Sequence, residues 1–282
     1  MDSADNTKWS LSRVLLLLLF TVFAAFAVFP LLTLTIASFK PAQELMRFGL
    51  NLKLSPEIFS FRNYTYLFSG ESLYLTWYKN SLIITAVYTV LCLLLSSMVG
   101  YALAVYNFRF RNVIFALVLI TMMVPLEIIM LPLYKLAIGL KLINSMWGVI
   151  LPFVVAPLPI FFFRQYASGL PKDFLDAARV DGTTEFGTYF RIMMPLMAPA
   201  FSSMAILQAL FSWNNFLWPL IVLRTTEQLT IPIGLATLLT PYGNNFDMLI
   251  SGAVMAIVPI LIVFLFFQRY FIEGMTAGGV KG

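Results

Sequence analysis

Long stretches without a single charge alternate with short polar segments along this chain. Residues 14–39, 80–108, 142–163, 192–223 and 248–268 contain no Asp, Glu, Lys or Arg and are strongly apolar. A helix rises about 1.5 Å per residue, so crossing a hydrocarbon core of roughly 30 Å takes about 20 residues, and each run is long enough. Lipid offers no partner to backbone N–H and C=O groups, so uninterrupted runs of this length predict helices rather than strands. Residues 113–134, broken only by Glu127, predict a sixth. Residues 228–246 also lack charge, but Pro232, Gly234, Pro241 and Gly243 punctuate them as a loop holding at most one short helix. Residues 14–39 exceed the apolar stretch of a cleavable signal peptide and lack a clear small-residue cleavage site, so they predict a retained first span. The expected fold class is an all-α membrane protein with six transmembrane helices over 14–268, an N-terminal segment 1–13 and a C-terminal tail 269–282.

Six spans put both termini on one side. With the termini inside, the inner segments hold ten of the 18 Lys and Arg residues and the outer segments eight, a small excess in the direction expected for cytoplasmic loops. The sharpest witness is "NFRFRN" (107–112), which places Arg109 and Arg111 between two spans with no acid nearby. The expectation is therefore that both termini are cytoplasmic. Three loops then face out, at about 40–78, 134–145 and 224–247, and one substantial loop, 164–200, faces in.

Composition mostly excludes. Hydrophobic residues make up 60% of the chain and charged residues 11%. There is no His, and the single Cys92 lies in mid-span, so disulfides, thiol–imidazole catalysis and the usual zinc sites are out. No metal site and no cofactor is expected in this chain. A net charge of +5, scattered along the sequence, reads as cationic flanks at membrane lipid surfaces rather than as a nucleic-acid interface. Nothing matches a phosphate-binding G-x-x-x-x-G-K-[ST] loop, so ATP binding of that kind is not expected here.

The inner loop carries "LPKDFLDAARVDGTTEF", which predicts two short helices around a hinge. Pro171 suits a first helical position, and Asp173 suits the positive end of a helix dipole. Phe174, Leu175, Ala178 and Val180 fall at spacings that form one apolar stripe. Gly182 stands where a left-handed residue would end the helix, Thr183 can cap the next, and Glu185 sits in its first turn. The second helix is expected to run through Tyr189, Phe190, Ile192 and Met193 until Pro195 and Pro199 interrupt it. A helix pair lying in the headgroups would be amphipathic too. Ala177 and Ala178 keep the first helix thin, as docking into a groove requires, and Asp176 and Asp181 suit anionic lipid poorly, so a protein partner explains the pattern better.

The stretch "DAARVDGTTEFGTYFRIMMPLMAP" (176–199) resembles the EAA motif of the permease subunits of binding-protein-dependent ABC importers, with Asp176 where Glu is usual and Met194 where Leu is. "MMVPLEIIMLPLY" (122–134), "SWNNFLWPLIVL" (212–223) and "QRYFIEGMTAGGVKG" (268–282) are similar to the third helix, the fifth helix and the tail of the carbohydrate branch of that family, the last like the second permease of maltose-type sugar importers. The resemblance implies a type I ABC importer permease fold whose loop 164–200 holds cytoplasmic coupling helices. It implies a non-catalytic subunit working in a bacterial cell membrane with a second, different permease, two ABC ATPase subunits that carry ATP and Mg, and an extracytoplasmic solute-binding protein. The cargo it implies is a sugar or oligosaccharide. Asp176, Ala177, Ala178, Asp181 and Gly182 would make the ATPase-coupling contact. The outer loop residues Tyr242, Gly243, Asn244 and Asn245 would face the binding protein, although turn chemistry accounts for Gly243 and the asparagines as well.

For the substrate path, Trp213, Asn214, Asn215 and Trp218 put two amides and two aromatic rings into a span, and rings stack on sugars while amides bond hydroxyls. Interfacial anchoring and helix packing use the same residue types. Glu127, between Pro125 and Pro132, is expected to reach the interface or to pair with Lys135. Ser96, Gly100 and Ala104, four apart, predict a helix-packing seam. Permeases of this appearance also serve glycerol-phosphate-type substrates. An ion-coupled secondary transporter is the reading from another class, although such proteins place charge near the bilayer midplane and this chain has only Glu127.

Overall fold

The computed structural model describes residues 11–240 and 243–277, so 1–10, Pro241, Tyr242 and 278–282 lie outside the described residues. Among the described residues three helices are each long and apolar enough to cross a membrane: α1 (Leu11–Ser38), α4 (Tyr74–Val105) and the Phe246–Gln268 stretch of α15 (Phe246–Ala277). Three bent pairs supply the rest: α5 (Arg111–Met122) with α6 (Leu126–Gly139), α7 (Met146–Ile150) and its 3-10 turn with α8 (Pro157–Ser168), and the second loop helix with α12 (Ala198–Trp213). Counted as single spans they make six, in the predicted order.

Each break has a local cause. Pro125 cannot donate to the ladder, and α5 and α6 meet at 106°, so residues 113–134 are not one straight helix. Pro157 opens α8, at 43° to the preceding turn. The run 192–223 is divided more deeply. Its first residues belong to the helix leading out of the 164–200 loop, which turns by 78° at Met197, and α12 then ends at Trp213 before α13 (Leu217–Val222) begins. The charge-free criterion also starts the second span late, because α4 includes Lys79.

The chain divides into two compact units. One holds the residues up to Ser72 together with Leu238–Met255. Here α2 (Ala42–Phe48) and α3 (Arg62–Phe68) follow α1, and Phe39 stacks on Phe59 at 4.6 Å between ring centroids. Lys40 is buried and donates from Nζ to Asn51 O and Oδ1, both at 2.7 Å. Burial holds its ammonium below the usual lysine range. Asn63 Nδ2 donates to Ser38 O and Lys40 O at 2.9 and 3.0 Å, which pins the chain leaving α1. A two-residue antiparallel ladder pairs Leu239 with Asn244 and Thr240 with Gly243.

The second unit, Leu73–Thr237 with the residues from Ala256 on, is built around α4. Gly100 lets α8 approach closely: a Cβ there would sit 2.8 Å from Ile160 O, 2.8 Å from Phe163 Cβ and 2.9 Å from Arg164 N. Ser96 Oγ accepts from Ala156 N at 3.2 Å, so the small-residue seam packs as predicted. On another side of α4, Tyr88 donates to Gln208 Oε1 at 2.6 Å, tying α12 to it. At its first turns Trp77 Nε1 and Asn80 Nδ2 donate to the carbonyls of Thr226, Glu227 and Leu229. Those bonds seat the segment carrying α14 (Ile231–Ala236), the one short helix expected within 228–246.

Glu127 is exposed in the first turn of α6, where the helix dipole favours a carboxylate. Among the described residues no ion pair joins it to Lys135.

Candidate functional site

Two short helices build the 164–200 loop. α9 (Asp173–Val180) carries Asp173 and Asp176 in its first turn, and it turns Leu175 and Ala178 inward. Leu175 joins the buried cluster of Tyr101, Phe163, Ala167, Tyr189 and Met193. The predicted stripe is narrower than its sequence spacing implied: Phe174 is 44% and Val180 88% exposed, alongside Phe186 at 68%. These three apolar side chains face away from the core.

The end of α9 is a Schellman turn. Gly182 takes φ +72°, its N–H donates to Arg179 O at 3.1 Å, and Thr183 N donates to Ala178 O at 3.1 Å. The cap of the next helix falls one residue later than expected. Thr184 Oγ1 accepts from Gly187 N at 3.1 Å, whereas Thr183 Oγ1 is taken by Ala178 O and Thr188 Oγ1, at 2.8 and 2.7 Å. The helix α10 (Glu185–Thr188) is continued by a π-helical turn, Tyr189–Met193, and by α11 (Met194–Leu196).

The hinge is braced from both sides. Arg179 lies 4.0 Å from Asp176 and 3.6 Å from Glu185, joining α9 to α10 across Gly182. Exposed pairs of this kind add only about 0–1 kcal/mol each. The firmer ties run to α4. Tyr106, just past its end, donates to Glu185 Oε2 at 2.5 Å, and Ser97 Oγ and Tyr189 OH share a buried hydrogen bond of 2.6 Å. Burial first, then the bond to Glu185, push the Tyr106 phenol up, so it stays a donor. Sequence reasoning missed these tyrosines, because a phenol in an apolar run reads as filler until its partner is known.

Of the five residues assigned to coupling, Asp176, Ala177, Asp181 and Gly182 are exposed, and Ala178 is buried at 1%. Ala178 therefore packs beneath the other four rather than beside them. Of the four assigned to the substrate path, Trp213 and Trp218 are buried. Their indole N–H groups donate to Ala256 O at 3.0 Å and Gly148 O at 2.9 Å. Asn214 is exposed, with Nδ2 bonded to Leu210 O at 3.0 Å, and Asn215 is half-buried where α12 has ended. Trp218→Phe is expected to lower stability by about 1 kcal/mol through the orphaned Gly148 carbonyl, read as an earlier thermal unfolding midpoint of the purified assembly.

In the 224–247 loop, Gly243 and Asn244 form the second strand of the ladder, and Tyr242 lies outside the described residues. Asn245 is exposed, and its Oδ1 accepts from Met248 N at 3.0 Å at the head of α15.

Residues 93–276, which include the whole braced loop, match the family described as binding-protein-dependent transport system inner membrane component. The chain belongs to this family. It is a multi-pass membrane permease subunit, and the match runs from mid-α4 through the loop into α15. The permease is 61% identical over 275 residues to the arabinooligosaccharides transport system permease protein AraQ of Bacillus subtilis, covering 98% of each chain. It is 35% identical to the lactose transport system permease protein LacG of Rhizobium radiobacter, over 72% of this chain and 74% of that one. Its fold is shared with the crystal structure of a bacterial ABC transporter involved in the import of the acidic polysaccharide alginate. The TM-score is 0.81, covering 96% of this chain and all of the other at 22% identity.

Proposed function

We propose that this permease is one of two different membrane subunits of an ATP-driven importer, and that its cargo is an oligosaccharide of the arabinose-containing kind. The likeness to the AraQ proteins, 61% over nearly the full length, supports the cargo class. The observation that carries the mechanism is the braced loop, a stiff hinge with Asp176, Ala177, Asp181 and Gly182 on its exposed side. Docked in a cleft of an ATPase subunit, α9 and α10 would pass the closure of the ATPases on ATP and Mg to the bent helix pair above. A ligand shifts a conformational equilibrium only as far as it contacts the two states differently, and a rigid connector makes that difference felt in the spans.

The other roles follow from this assignment. The inner loop and both termini lie in the cytoplasm of a bacterial cell, in keeping with Arg109 and Arg111 on the same side. A solute-binding protein delivers sugar from outside, against the loop that holds Tyr242, Gly243, Asn244 and Asn245. In the substrate path, Asn214 and Asn215 at the break after α12 supply the polar groups, and Trp213 and Trp218 hold the break open by their bonds to Ala256 and Gly148. Asn215→Ala is expected to raise the half-saturating sugar concentration about 3- to 10-fold, the worth of one hydrogen bond, with all subunits still co-purifying. Loss of co-purification instead would mark Asn215 as a packing residue.

Uptake into vesicles by the assembled transporter tests the proposal as a whole: sugar should enter only with the binding protein outside and ATP on the ATPase side.

A further inference from the structure

Arg111, at the start of α5, borders a cavity to which the proposed coupling contact gives no role. That cavity, of about 420 Å³, lies between the end of α4, the start of α5, the end of α8 and α9. Arg111, Lys172 and Arg179 line it with Asn107 and Ser168, and Asp176 is the one carboxylate among its described lining residues. That carboxylate is already 4.0 Å from Arg179. Arg111 donates from Nη1 to Asn107 Oδ1 at 2.7 Å and from Nη2 to Ala104 O at 3.2 Å, while its Nε is buried with no acceptor among the described residues. Three cations around one cavity repel one another unless an anion enters, and guanidinium and ammonium groups that line one space match a ligand with several acceptor oxygens. The cavity opens where the helices emerge from the apolar runs, and basic pockets between spans on the cytoplasmic side suit phosphate headgroups.

We infer that this cavity binds a phosphate-bearing anion and that its occupant ties the coupling helix to the spans. Arg111 opens α5, whereas Lys172 and Arg179 belong to the inner loop, so one phosphate held by all three fixes α9 against the helix ends. The inference rests on the cytoplasmic placement proposed above. Two sources share the chemistry, the headgroup of an anionic phospholipid and a soluble phosphate.

The complete transporter, in nanodiscs of phosphatidylcholine alone or with phosphatidylglycerol, separates them. Native mass spectrometry is expected to retain phosphatidylglycerol on the wild type and to lose it on Lys172→Gln, an exposed position, but not on Arg109→Gln, a neighbouring cation that does not line the cavity. Sugar-stimulated ATPase activity should rise about 5-fold with phosphatidylglycerol, the low end for coupling between two sites, and only where Lys172 is intact. If inorganic phosphate added to phosphatidylcholine discs gives the same Lys172-dependent rise, the source is soluble. No response to either anion, or equal responses of wild type and both variants, overturns the inference. The retained lipid is read without transport, so an inactive complex that still holds phosphatidylglycerol through Lys172 would count against the coupling reading and not against the site.

Discussion

Gly182→Val is expected to cut sugar uptake by the assembled transporter about tenfold or more, together with substrate-stimulated ATP hydrolysis. Gly182 sits at φ +72°, and a left-handed conformation costs a residue with Cβ roughly 1–2 kcal/mol, more when the side chain is β-branched. Nothing lies within 4 Å of where its Cβ would be, so the penalty is one of backbone conformation and not of crowding. That isolates the hinge. Gly182→Asn, which tolerates the left-handed region, should keep most activity, and Gly182→Ala should fall between the two. Uptake and ATPase activity measured over the three variants check this order. Equal loss in all three would place the sensitivity in the exposed face around Asp176 and Asp181 instead. Full activity in all three would remove the hinge from the coupling path.

Gly100→Leu is expected to abolish assembly rather than to slow transport. Two of the three atoms nearest to a Cβ at this position belong to the α8 backbone, at 2.8 and 2.9 Å, and backbone cannot swing aside as a flexible side chain can. Overpacking of a well-filled site costs about 1–3 kcal/mol, and forcing two spans apart also breaks the Ser96 bond to Ala156 N. Gly100→Ala should fold with a lowered thermal midpoint. Gly139→Ala, where nothing lies within 4 Å, should leave the yield of purified complex unchanged. Recovery of intact complex after detergent extraction reads all three variants.

The six spans were legible because lipid allows few ways to satisfy a backbone, so long uncharged runs translate directly into helices. Where those helices break was less so. Pro125 announces a break, yet its 106° turn depends on what α5 and α6 pack against. Nothing in the residues near 214 marked the end of α12. Asn214 and Asn215 read as lining inside a continuous span, and the structure puts them at a helix terminus whose tryptophans are fastened to neighbouring backbone.

The inner loop shows the same division at finer scale. Gly182 could be placed because a residue without Cβ suits that left-handed turn best, and the chemistry is local. Which apolar residues of α9 face in could not, because apolar side chains stand on both its buried and its exposed sides. Leu175 and Ala178 went to the core, and Phe174 and Val180 were left outside. The bonds from Tyr106 to Glu185 and between Ser97 and Tyr189 join residues about 80 to 90 positions apart, beyond the reach of any periodicity.

As proposed, this subunit moves sugar only when driven through its 164–200 loop by partner ATPases. Proteoliposomes holding the complete transporter, loaded with ATP and given an arabinose-containing oligosaccharide on its binding protein, measure it most directly. Uptake should require ATP, should vanish when the ATPase subunits are omitted, and should fall with Gly182→Val. Uptake by this chain alone, driven by an ion gradient without ATP, would contradict it.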